Sequence, residues 1–120
     1  MTHREPLARV EILRTDGSRD TYVVRRPALL QWIQRMIEAD TIDAVNLRDG
    51  RVMLVDDHGW ETRTTDERTP DGVLHITVHP VRPRKPINPA ATALYHAVCG
   101  PGTTHAIAGD VAIAVDADFA

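Results

Sequence analysis

Six histidines and a single cysteine are the side chains with the most capacity for chemistry, and their spacing decides what they can do. His96 and Cys99 stand three apart in a segment of helical spacing, so they share a face as a metal-ligand pair or as a base and its nucleophile. Neither use is expected. No third or fourth ligand accompanies them, and Cys99 falls at the end of a helix, where the negative dipole opposes a thiolate. His75 and His79 point the same way along a strand but lie about 13 Å apart by strand rise, too far to share one zinc. Asp56 and Asp57 alternate faces if extended, so they do not converge on a substrate. Asp110, after Gly109 in an apolar run, reads as a residue hydrogen-bonded across a β-bulge. No catalytic residue, metal ligand or cofactor is assigned.

One constellation does suit a ligand. Arg82, Arg84 and Lys85 lead into Asn88-Pro89-Ala90-Ala91-Thr92, where Asn88 fits the N-cap and Pro89 the first helical position. A helix start presents unpaired N–H groups and partial positive charge, which attract anions. The expected anion site therefore comprises Arg82, Arg84, Lys85, Asn88, Ala90, Ala91 and Thr92. Against it, Asn88 is equally suited to spend its side chain on the cap, and the basic run to being a solvated linker. Gly100-Pro101-Gly102-Thr103-Thr104 adds candidate donors but lacks the spacing of a nucleotide P-loop. A contact surface is expected at His58, Trp60, His75 and His79, because an exposed tryptophan anchors interfaces or stacks bases. The plainer role for Trp60 is to cover a sheet edge.

Composition narrows the setting. A chain of 120 residues is expected to form a single domain, 42% hydrophobic and only 4% aromatic, with a core of Val, Ile, Leu and Ala. No apolar run approaches the roughly 20 residues of a membrane span, and the first residues lack a signal-peptide pattern; a cytoplasmic protein is expected. A net charge of −3 suits neither a DNA mimic nor a basic nucleic-acid binder. Lys85 is the only lysine among 14 cations. Arginine codon bias accounts for this, although arginine also suits anion recognition.

These side chains must be positioned by an ordered set of elements. Asp16-Gly17 and Asp49-Gly50 each lie between alternating segments and signal two-residue hairpin turns. Such turns would set Ile12 opposite Thr21, Val10 opposite Val23, Leu47 opposite Val52 and Val45 opposite Leu54. Leu29, Leu30, Ile33, Met36 and Ile37 form one helical stripe. Residues 56–72 read as a polar loop, with an irregular edge strand at 60–64. Residues 73–79 read as a strand with Leu74, Ile76 and Val78 inward, and 80–86 as an extended linker. A helix and a final strand follow, with Ala112 and Ala114 leaving room for a helix or a partner chain. The expected fold is α+β: a mostly antiparallel sheet of five to six strands, covered on one face by two helices, in the order ββ-α-ββ-β-α-β. Within a single domain at 1–120, the parts are an N-terminal hairpin at 7–25, a helix plus hairpin at 27–59, an insertion with strand and linker at 60–86, and a helix plus strand at 88–115.

Three segments carry a resemblance. They are Val52 to Gly59 with its acidic-Gly corner; Asn88, Ala91, Thr92, Leu94 and Tyr95; and Ile107, Gly109, Asp110 and Val111. Together they resemble a family of small phage, plasmid and integrated-element proteins carrying a domain of unknown function. The chain departs from that pattern in its long insertion from Trp60 to Arg84. The resemblance implies a phage or mobile-element setting and supplies no activity. The expected function is a non-enzymatic accessory protein that binds a host protein or a small anionic ligand such as a nucleotide, with self-association through a sheet edge or the last strand. The alternatives are a weak nucleic-acid-associated regulator and an interaction protein without a small ligand.

Overall fold

Alternating apolar side chains, punctuated by Asp-Gly, generate seven strands and two helices among the described residues. A computed structural model describes residues 6–99 and 103–119, apart from the side chains of Asp116 and Ala117. The elements are β1 (Leu7–Leu13), β2 (Arg19–Arg25), α1 (Leu29–Met36), β3 (Ile42–Asn46), β4 (Arg51–Asp56), β5 (Trp60–Arg68), β6 (Leu74–Pro83), α2 (Pro89–Val98) and β7 (Val111–Val115). The fold is α+β, as expected, and every strand pair is antiparallel. Five strands form one sheet in the order β2-β1-β7-β4-β3, while β5 and β6 pair only with each other. The latter pair is a projecting ribbon, the arm, and the molecule measures 67 × 33 × 26 Å.

The helices lie on opposite faces of the sheet, not on one as expected. The reason is in the strands: β4 and β7 are buried at nearly every position, so both of their faces need cover. Val10, Ile12, Val52, Leu54, Ala112 and Ala114 pack with Leu29, Ile33 and Ile37 of the α1 segment. Leu13, Met53, Val55, Val111 and Ile113 pack with Ala91 of α2 and with Ile107. Each large aliphatic side chain buried this way contributes about 1.5–3 kcal/mol. The alanines of β7 thus admit a helix. Because β7 is the central strand, it is closed to a partner chain.

Both expected hairpin registers are off by one residue. Val10 pairs with Tyr22 and Ile12 with Asp20; Val45 pairs with Met53 and Asn46 with Val52. The cause is a three-residue loop in place of a two-residue turn. Arg14 N–H donates to the Ser18 carbonyl and Leu47 N–H to the Arg51 carbonyl, enclosing Thr15-Asp16-Gly17 and Arg48-Asp49-Gly50. The arm closes identically: Thr69 N–H donates to the Val73 carbonyl around Pro70-Asp71-Gly72. Gly17, Gly50 and Gly72 take φ of 87°, 81° and 86°, the left-handed position such a loop requires. The shift turns Tyr22 and Val24 onto the α1 face, where Tyr22 meets the ring of Trp32 at 5.1 Å. Arg51, at the second hairpin, pairs with Asp49 at 2.7 Å.

The polar segment expected as a loop is β5, and β6 runs on through Pro80 to Pro83, into the expected linker. An edge position tolerates these prolines because one side of β6 has no strand to bond. Leu74, Ile76 and Val78, expected inward, are 48%, 56% and 59% exposed. They do share a face, but no layer of the body lies over it.

Candidate functional site

The start of α2 is where the expected anion site would sit, and its donors are already committed. Asn88 is fully buried. Its Oδ1 accepts from Ala91 N–H at 3.1 Å, while Nδ2 donates to the Leu13 carbonyl at 3.0 Å and the Gly109 carbonyl at 3.1 Å. Ala91 is buried and Thr92 Oγ1 accepts from Ile107 N–H at 2.9 Å, so both face protein; Ala90 packs on the same cluster. The cations point elsewhere. Lys85 Nζ pairs with Asp56 at 2.8 Å and donates to the carbonyls of Ile37 at 2.9 Å and Glu38 at 2.7 Å, neutralising the negative end of α1. Arg82 pairs with Glu61 across the base of the arm. Arg84 is exposed, and its N–H donates to the Gly59 carbonyl. The seven residues do not converge on an anion cradle. Gly100-Pro101-Gly102, the loop thought to add donors, lies outside the described residues.

The motif residues instead lock the sheet to α2. Gly109 has φ of 89°, and a Cβ there would stand 2.8 Å from Lys85 Cδ. Its N–H donates to the Pro86 carbonyl at 2.8 Å. Asp110 Oδ1 accepts from Thr15 N–H at 3.0 Å, which ties the β1–β2 loop to the entry of β7. The carboxylate bonds a distant loop, not the far side of a bulge.

The histidine and cysteine positions do not form a reactive pair. His96 Nε2 donates to the His105 carbonyl at 2.7 Å. The neighbouring exposed Cys99, then burial, with the charge of Asp43 adding to them, holds the Tyr95 phenol above its usual range. On the arm, His75 and His79 share the face with Glu67, Thr65 and Arg63, opposite the Leu74 row. His79 Nε2 lies 2.9 Å from Thr65 Oγ1. His58 is exposed in the turn before the arm, while Trp60 is tucked back at its base. These four residues are not one surface.

Two features remain that can engage another molecule. The first is the apolar row of the arm: Leu74, Ile76 and Val78 beside their cross-strand neighbours Arg68, Asp66 and Thr64. The second is a cleft of about 220 Å³ where the arm leaves the body, between β3, β4, α2 and the segment before β7. Trp60 and Thr62 of the arm, Asp43 of β3, Tyr95 of α2 and His105 meet there. Trp60 Nε1 donates to the Ala106 carbonyl at 2.9 Å, which fixes the indole. The sequence flagged Trp60, but nothing in it linked that residue to Asp43 or Tyr95, which tertiary packing brings together.

No family model, curated protein or solved structure matches the chain. Among the described residues, no helix is long and apolar enough to cross a membrane.

Proposed function

We propose that this chain is a non-enzymatic accessory binding protein of the phage or mobile-element type, engaging a protein partner through the apolar face of its arm. The single observation that carries the reading is the exposed row Leu74, Ile76 and Val78 on a ribbon that pairs with no strand of the body. A lone two-stranded ribbon is marginal in water, and an aligned apolar row on it gains most from being covered. Both outer edges of the ribbon are unpaired, so an extended partner segment can add a strand while laying apolar side chains on the row. The mobile-element setting rests on the sequence resemblance.

Charge favours protein over nucleic acid as the partner. From Trp60 to Pro83 the arm carries Arg63, Arg68 and Arg82 against Glu61, Asp66, Glu67 and Asp71. A ribbon that tracks phosphates needs a clear cationic excess. The small-anion version loses its support because the α2 start is occupied by protein groups.

A photo-crosslinking residue at Ile76 of the full chain, expressed in the cells that carry it, tests this reading. The expected result is a crosslink to a different protein, absent when the same probe stands at Val23 on the open sheet face. Replacing Ile76 and Val78 by Thr, which keeps the β-branched shape, should abolish capture at an unchanged melting temperature. Crosslinks only to a second copy of the chain, or none at all, would overturn it.

A further inference from the structure

The cleft at the base of the arm has a chemistry of its own, independent of the apolar row. Its floor is apolar, with Val45, Val55 and Ile107. Three rings wall it: the imidazole of His105 stands between the other two, 5.5 Å from Trp60 and 5.9 Å from Tyr95, the latter edge-on. Asp43, Asp56 and Asp57 are among its lining residues, and among the described residues no lysine or arginine lines it. Asp56 is neutralised by Lys85. Asp43 and Asp57 have no cationic partner among the described residues. Asp43 Oδ1 accepts from the adjacent Ala44 N–H, at 2.9 Å.

Aromatic faces carry negative potential and attract a cation within about 6 Å, the more so when two carboxylates stand at the rim. An anion entering the cleft would meet Asp43 and Asp57, which no cation among the described residues offsets. A planar cation fits best, since it can lie against a ring while its edge meets carboxylate oxygens in a fork. A broader hollow beside α1, lined by Gln31, Gln34, Arg35 and Glu38, offers no such convergence.

We infer that the cleft formed by Trp60, Tyr95, His105, Asp43 and Asp57 binds an organic cation, of which a guanidinium head is the best match. The group arrives either on a free small molecule or on an arginine side chain of a polypeptide. The two sources share this chemistry and differ in how far they contact the surroundings.

The test compares methylguanidinium with methylurea, its neutral counterpart of nearly the same shape. Calorimetric titration of the full wild-type chain should show saturable binding of the cation and none of the urea. The chain has two tryptophans, so in a Trp32→Phe variant the emission of Trp60 reports the same event. Asp43→Asn with Asp57→Asn should weaken binding at least fivefold at an unchanged melting temperature. A short blocked peptide with one central arginine distinguishes the sources: at least tenfold tighter binding than methylguanidinium identifies a polypeptide, and equal binding a free molecule. No saturable binding, equal binding of methylurea, or indifference to the two Asp→Asn changes would overturn the assignment. Because Ile76 and Val78 lie outside the cleft, the Thr replacements at those two positions should leave this titration unaltered, and so the two readings fail separately.

Discussion

Asn88 Nδ2 reaches the carbonyl of Leu13 at 3.0 Å, joining residues 75 apart in sequence through one buried amide. The same amide bonds Gly109 and caps α2, so one side chain holds β1, the entry to β7 and the helix together. Asn88→Ala leaves two buried carbonyls and one N–H unsatisfied, and should cost roughly 3–5 kcal/mol. Asn88→Asp keeps the cap but turns an oxygen toward two carbonyls. Its carboxyl will resist ionisation in the folded state, so the loss of stability relative to wild type should be smaller near pH 4 than near pH 7. Urea unfolding at both pH values measures each outcome.

Gly109 and Lys85 form a second coupled pair. Gly109→Ala must adopt a left-handed backbone and place its Cβ against a lysine stem whose ammonium is tied to three acceptors. A loss of about 2–3 kcal/mol is expected. In a Lys85→Ala background the steric part disappears, so the cost of Gly109→Ala should fall by about 1 kcal/mol. A four-member mutant cycle by chemical denaturation reads the coupling.

The three loop aspartates set part of the acid response. Hydrogen bonds hold each carboxyl below its ordinary 3.8: Asp16 through Ser18, Asp49 through Arg51, and Asp71 through Thr69. A folded pKa below the unfolded one gives stability that is complete above that ordinary value and lost as pH falls through the folded one. Converting all three to Asn should therefore flatten the decline of the urea midpoint between about pH 5 and about pH 3. An unchanged acid limb would place the response in other carboxylates.

The arm should be removable. Replacing residues 62–81 by Asn-Gly joins Glu61 to Arg82, which already face each other. Stability of the five-stranded body should change by less than about 1 kcal/mol, because no body strand pairs with the arm. The protein captured through Ile76 of the full chain should fail to co-purify with the shortened one.

Much of this architecture is legible in the residues, and the misreadings have definite causes. Asp16-Gly17 and Asp49-Gly50 correctly announce hairpins. The dipeptide alone does not say whether glycine is the second of two loop residues or the last of three, and that single residue flips the partner strand. The alternation of Leu74, Ile76 and Val78 correctly marks one face of a strand. Alternation records which side chains align, not whether another layer lies opposite. Asn88 was readable as a cap, and its two further bonds depend on Leu13 and Gly109 arriving from elsewhere. Asp43, Trp60 and Tyr95 belong to three elements, so no local spacing foretells their meeting.

Because Trp60 and Pro83 are already neighbours at the root, the ribbon is a boom whose length is independent of the platform beneath it. Adding two residues to each strand lengthens it by about 7 Å and keeps the greasy side facing the same way, whereas adding one residue to each turns that side over. Reach and facing are thus adjustable in discrete increments, with the scaffold left untouched.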